Sequence, residues 1–149
     1  MKIVLDTNVL VAGLLSPFGP CAEIVRMVSS GELTLYFDAR ILSEYNEVLR
    51  RSRFRFRIDR VVALLDHIEH RGHIVASSPL SNSLPDPGDQ PFLEVAVAGQ
   101  AVCLVTGNHA HFPLKLCQEV KVLSPSAFLM FYRKQQTPKS TQQEAKRDC

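Results

Sequence analysis

Residues 1–15 read MKIVLDTNVLVAGLL, and the first six decide the architecture. An apolar, β-branched run at 2–6 that ends on an acid is the pattern of a strand buried on both faces, with Asp6 at its carboxyl end. Outward from it, strand-like and helix-like stretches alternate. Pro17, Gly19 and Pro20 break the chain after Leu15. Residues 21–30 carry Ala22, Val25 and Val28 at helical spacing, with Gly31 as a cap. A second strand is expected at 33–37. A helix at 39–51 has Ile41, Leu42, Tyr45, Val48 and Leu49 on one face. Asp59 is the expected N-cap of a helix through His70, which Gly72 ends. A third strand falls at 73–76, and 77–88 is a polar, proline-rich loop. Asp89 opens a helix to about Ala98, with Pro91 in the first turn, where a missing N–H costs nothing. Strands at 101–106 and 120–123 flank a short helix or loop at 111–117. Ser124 precedes a helix at 125–133.

This βαβ alternation predicts an α/β protein: a three-layer α/β/α sandwich around a central, mostly parallel sheet of about five strands. The domain is expected at 1–133, with a polar, aperiodic, disordered tail at 134–149. A chain of 149 residues with 46% hydrophobic composition can bury one ordinary core. The longest apolar runs are too short to span a bilayer, and the start has the length of a strand rather than a signal peptide. A cytoplasmic protein is expected. Cys21, Cys103, Cys117 and Cys149 show neither CxxC nor zinc-site spacing. Cys21 and Cys103 read as small core residues.

Parallel sheets place ligands at the carboxyl ends of their strands. Several polar side chains fall there. Asp6 follows the first strand, Asn108 follows the strand CLVT, and Asp86 and Asp89 flank a Pro-Gly turn at a helix start. Taken singly, each has a plain structural role: Asp6 or Asp89 as a helix cap, Asp86 or Asn108 as a turn residue. Glu44 lies in helical phase with Ile41 and Val48, so it is partly buried and needs a partner. Glu47 reads as its solvated neighbour. Together these side chains converge on one sheet edge. Clustered carboxylates repel unless a cation joins them, and hard oxygen donors suit Mg²⁺ or Mn²⁺. Such ions assist phosphoryl transfer.

Net charge is only +2, but Arg50, Arg51, Arg53, Arg55, Arg57 and Arg60 fall within one short stretch. That density suggests an anion-facing patch; a solvated helix end is the alternative. His109 and His111 lie near the candidate edge; a proton-transfer role is one reading and exposed loop residues the favoured one, and Phe112 reads as a core anchor rather than a base-stacking platform. A glycine-rich phosphate loop is absent, which argues against a nucleoside-triphosphate enzyme. A phosphatase with a nucleophilic aspartate after its first strand is weakened by Asn8, where many such enzymes carry a second aspartate.

The segments KIVLDTNVLVAGLLSP, SEYNEVL, DPGDQPFLEVAVAG, LVTGNHAHFP and VLSPSAFL resemble the PIN domain, a family of metal-dependent ribonucleases that includes VapC-like toxins of toxin–antitoxin pairs. The resemblance runs from Met1 to about Tyr132. It implies Asp6 as the central metal ligand, Glu44 as the second acid and Asp89 as the third, with Asp86 assisting. In many relatives an aspartate follows the VTG glycine; here Asn108 stands there, lowers the charge, and is read as a metal-facing amide. Thr7, Asn8 and Thr106 are implied to orient Asp6 and the phosphate. Arg50, Arg51, Arg53, Arg55 and Arg57 are expected to contact RNA or a protein partner. The implied cofactor is Mg²⁺ or Mn²⁺. The implied partners are RNA, a small antitoxin protein and a second copy of the chain, with no membrane. The alternative is a PIN-like RNA- or protein-binding module with weakened chemistry.

Overall fold

The computed structural model describes residues 1–136. Five short strands form one sheet: β1 (Lys2–Leu5), β2 (Thr34–Phe37), β3 (His73–Ile74), β4 (Leu104–Val105) and β5 (Val122–Leu123). Their order is β3-β2-β1-β4-β5, and every pairing is parallel. The expected α/β architecture is therefore the observed one. β1 is central, and its Ile3, Val4 and Leu5 are fully buried, as a strand covered on both faces must be. The chain winds from β1 out to β3, then returns to add β4 and β5 on the other side. The strand order thus reverses between β1 and β4, and a cleft is expected outside their carboxyl ends.

The helices are α1 (Thr7–Leu15), α2 (Pro20–Ser30), α3 (Ala39–Leu49), α4 (Ile58–Arg71), α5 (Gln90–Gly99) and α6 (Pro125–Gln136). Asp38 caps α3 by accepting the Ile41 N–H at 3.0 Å. Gly31 ends α2 in the left-handed conformation, φ 87°. α1 and α2 meet at a bend of 102°. Gly13 makes that bend tight: a Cβ there would stand 2.5 Å from Val25 Cγ2 and 2.6 Å from the Cys21 carbonyl oxygen. Phe112 is buried in the core, and among the described residues Cys21, Cys103 and Cys117 are free thiols. No single helix among the described residues is long and apolar enough to cross a membrane.

Several boundaries differ from the sequence reading. Asp59 is not the N-cap of α4. The helix starts at Ile58 with Arg57 as N-cap, and Asp59 lies in the first turn, where its charge suits the helix dipole. There it pairs with Arg57 at 2.9 Å. The strands expected at 73–76, 101–106 and 120–123 shrink to two residues each. Their apolar runs outlast the paired residues, and single backbone bonds such as Val75 N–H to the Phe37 carbonyl at 2.8 Å continue beyond them. Lys134–Gln136, expected to open the tail, continue α6; Lys and Gln are good helix formers. The rest of that tail, with Cys149, lies outside the described residues.

Candidate active site

The reversal between β1 and β4 brings Asp6 and Thr106 side by side. The Asp6 N–H donates to the Val105 carbonyl at 2.9 Å, which continues the β1–β4 ladder. The Thr106 hydroxyl then donates to Asp6 Oδ2 at 2.7 Å. Thr106 Oγ1 in turn accepts the Asn108 N–H at 3.0 Å. Asn108 thus reaches the centre through its backbone, while its side chain is exposed. Asp6 sits just before α1, so the Thr7 and Asn8 amides also face its carboxylate. The Thr7 hydroxyl does not turn to Asp6; it donates to Glu44 Oε2 on α3. Asn8 Oδ1 is buried without a hydrogen-bond partner.

Asp89 ends the 3₁₀ turn Pro87–Asp89, directly before α5. Asp86 caps that turn by accepting the Gly88 N–H at 2.8 Å. Pro91 lies in the first turn of α5, where its missing N–H is harmless. Asp6, Glu44, Asp86 and Asp89 all line one cleft of about 420 Å³. Thr7, Asn8, Val11 and Leu15 form part of its wall, and Arg51, Arg53 and Phe54 close its other side. The remaining arginines are placed differently. Arg50 donates to Asn46 and lines a separate groove between α3 and α4. Arg57 is paired with Asp59, and Arg55 occupies a left-handed position, φ 55°, outside the cleft lining. Arg51 is itself held by Glu47 at 2.9 Å, whereas Arg53 stacks its guanidinium 4.8 Å above the Phe54 ring.

The electrostatics of the cleft are unfavourable without a cation. Burial pushes the Asp6 carboxyl above its ordinary value; the Thr106 hydrogen bond opposes this and the Asp89 charge adds to it. Burial also raises Asp89, reinforced by Asp86 and partly offset by His111. Tyr45, buried beneath the site, donates to the Leu5 carbonyl. Its phenol is pushed well up by burial and then by the Asp6 and Glu44 charges. Asp89 Oδ2 is enclosed and takes no hydrogen bond. A buried carboxylate oxygen left in this state is a ready ligand for a cation. The donors are mainly carboxylates, which fit Mg²⁺ or Mn²⁺.

Two features were discounted or missed in the sequence. His111 is not a bystander of the loop: its Nδ1 lies 3.0 Å from Asp89 Oδ2. Glu94 on α5 is buried and paired with Arg40 at 2.8 Å; Arg40 also holds Asp38 at 2.7 Å. The signal for Glu94 was present, since an acid inside the apolar run PFLEVAVA must find a partner.

A parallel sheet with acids gathered at its strand reversal defines a carboxylate-centred α/β domain of the kind that binds divalent cations. Residues 2–110 match the PIN domain family, and the chain belongs to that family. Among solved structures it resembles VapBC2 from Rickettsia felis, determined bound to a DNA fragment from their promoter. The TM-score is 0.55 at 16% identity, over 83% of this chain and 98% of that one, which is a likeness of fold. A search of curated proteins finds no significant match.

Proposed function

We propose that this protein is a metal-dependent endoribonuclease that hydrolyses RNA phosphodiester bonds, and that it is the toxin of a toxin–antitoxin pair acting in the cytoplasm. The observation that carries the reading is the cleft itself. Three elements each deliver an acid to it, one carboxylate oxygen is enclosed with only an imidazole beside it, and two arginines line it. Family membership supports nuclease chemistry, and the VapBC2 likeness supports the toxin fold.

In this reading Asp6, Glu44 and Asp89 hold Mg²⁺ or Mn²⁺, with Asp86 beside them. A bound divalent ion supplies an activated water and neutralises charge on the phosphate and the leaving oxygen. The protein's own groups prepare that step. Thr106 fixes Asp6 through its Oδ2, and Asp6 lines the cleft. Thr7 fixes Glu44 in the same way. Arg53 has no carboxylate partner among the described residues, so its full charge is available to a phosphate. Arg51 contributes less, because Glu47 already takes part of its charge.

The test is cleavage of a single-stranded RNA with Mn²⁺, with Mg²⁺ and with EDTA, beside the variants Asp6→Asn and Asp89→Asn. Cleavage that needs the ion and disappears in both folded variants is expected. Cleavage that survives in either variant rejects the site. A second reading, a binding module with the chemistry lost, is favoured by Asn108 at the position of an acid. It predicts RNA binding without cleavage in the same assay. The antitoxin is tested by the neighbouring reading frame: a small upstream gene with a DNA-binding motif whose product co-purifies with this chain. The homodimer is tested by sedimentation.

A further inference from the structure

One contact beside the cleft lies outside the carboxylate set. His111 Nδ1 stands 3.0 Å from Asp89 Oδ2. Donor atoms from Asp86, Asp89 and His111 all lie within 4.8 Å of one another. The pair is an ion-pair contact, and Asp89 Oδ2 has no other hydrogen-bond partner in a residue only 9% exposed. A hydrogen bond requires the N–H to point at the oxygen. Two donors sharing an ion require both lone pairs to point at a third place. Asp86, Asp89 and His111 bring three donor atoms close enough together for the second arrangement.

The distances agree with it. Octahedral ligands about 2.1 Å from an ion stand about 3 Å apart along an edge and about 4.2 Å apart across it. The Asp89–His111 separation matches an edge, and Asp86, which spends one oxygen on the Gly88 N–H, has a donor atom within 4.8 Å of both.

The loop that delivers His111 is anchored at the centre. Thr106 binds Asp6, the Asn108 N–H binds Thr106, and the His111 N–H closes the next turn on the Asn108 carbonyl at 3.1 Å. The segment therefore directs an imidazole to Asp89, while the side chain of Asn108 remains exposed.

We propose that His111 is a ligand of the same divalent ion as Asp89 and Asp86, and that its nitrogen makes this centre favour Mn²⁺ and later transition metals over Mg²⁺. The inference rests on the reading of the cleft as a divalent-cation site. Mg²⁺ prefers an all-oxygen shell, whereas transition metals gain from imidazole in the order of their ligand affinities. With Asn108 neutral, an imidazole donor restores a ligand without restoring a charge.

The experiment titrates the whole protein with Mn²⁺ and with Mg²⁺ by calorimetry, and records pulsed electron paramagnetic resonance of the Mn²⁺ form. The variants are His111→Ala and His109→Ala. His111 is 45% exposed, so its removal leaves the core intact, and circular dichroism verifies this. The expected result is a loss of about tenfold or more in Mn²⁺ affinity for His111→Ala. Its Mg²⁺ affinity changes far less, and the ¹⁴N modulation present in the wild type disappears. His109→Ala matches the wild type in every respect. Wild-type Mn²⁺ affinity in His111→Ala, or no ¹⁴N modulation in the wild type, overturns the inference. RNA cleavage by the same samples separates the two readings. Cleavage with His111 indifferent to Mn²⁺ rejects this inference and keeps the ribonuclease. Mn²⁺ binding through His111 without cleavage does the reverse, and a wild type that binds neither ion rejects both.

Discussion

Arg40→Met should destabilise the metal-free protein by about 2 kcal/mol, and the structure gives the reason for that size. Glu94 is 6% exposed and holds Arg40 at 2.8 Å, while the Leu80 N–H reaches its other oxygen at 3.3 Å. Removing the partner of a fully buried carboxylate costs about 3–5 kcal/mol. A fully exposed pair is worth about 0.2–1 kcal/mol. Arg40 is 48% exposed, so water can partly replace it, and the expected cost lies between these limits. In a chain of this size 2 kcal/mol corresponds to a fall of about 4–8 °C in Tm. Glu94→Gln alone should cost less, because Arg40 keeps Asp38 at 2.7 Å and the amide can still accept. The double variant should be more stable than the sum of the singles by about 1 kcal/mol or more, since the uncompensated charge is then gone. Urea unfolding of the four proteins in EDTA measures all of this. The pair also ties α3, which carries Glu44, to α5, which follows Asp89, so Arg40→Met should weaken metal binding as well. Additive single effects, or an Arg40→Met variant as stable as the wild type, would refute the reasoning.

Three further outcomes follow from the cleft. The Asp6 and Asp89 carboxyls are raised above their ordinary 3.8 by burial, so the fold binds their protons more tightly than the unfolded chain does. Their favourable contribution is present at low pH and is lost as pH rises from 3.8 through the raised folded values. Metal-free Asp6→Asn and Asp89→Asn should therefore gain stability relative to the wild type between about pH 4 and pH 7, as measured by urea melts in EDTA. Arg53→Ser should flatten the log–log salt dependence of single-stranded RNA binding by about 0.7, one phosphate contact, and Arg57→Ser, already paired with Asp59, should change it less. Asn108→Asp keeps the backbone bond to Thr106 and adds a carboxylate beside the site. Mn²⁺ calorimetry should show tighter binding if that carboxylate turns inward, and an unchanged affinity would confine position 108 to its backbone role.

Parts of this molecule were legible in the sequence for reasons that can be named. β1, α3 and α4 carry clean apolar patterns bounded by glycine, proline or a capping acid, and the strand–helix alternation dictates a parallel sheet. α1 has no such signature. Its stretch VLVAGLL is apolar on nearly every side, because it packs on α2 through Gly13 while Val11 and Leu15 line the cleft. The acids at the carboxyl edge were legible from topology alone. Which hydroxyl serves which acid was not: Thr7 serves Glu44 rather than its neighbour Asp6, and Thr106 serves Asp6 from across the chain. The arginine stretch was visible as density, but density does not say which members face the cleft. Periodicity is silent on loop side chains, so His111 passed for an exposed residue.

The comparison of Glu94 with Asp89 reaches further than any single motif. Both are buried acids on or beside α5. Glu94 is met by an arginine and a backbone N–H, so its charge is satisfied within the protein. Asp89 faces a second carboxylate and a half-exposed imidazole 3.0 Å away, and its own Oδ2 is enclosed with no other partner. The same short segment that neutralises one buried charge leaves the other open. The buried charge that an arginine satisfies five residues away is met at Asp89 only by a half-exposed imidazole. That contrast, more than the number of acids, marks the cleft as the place where a cation belongs.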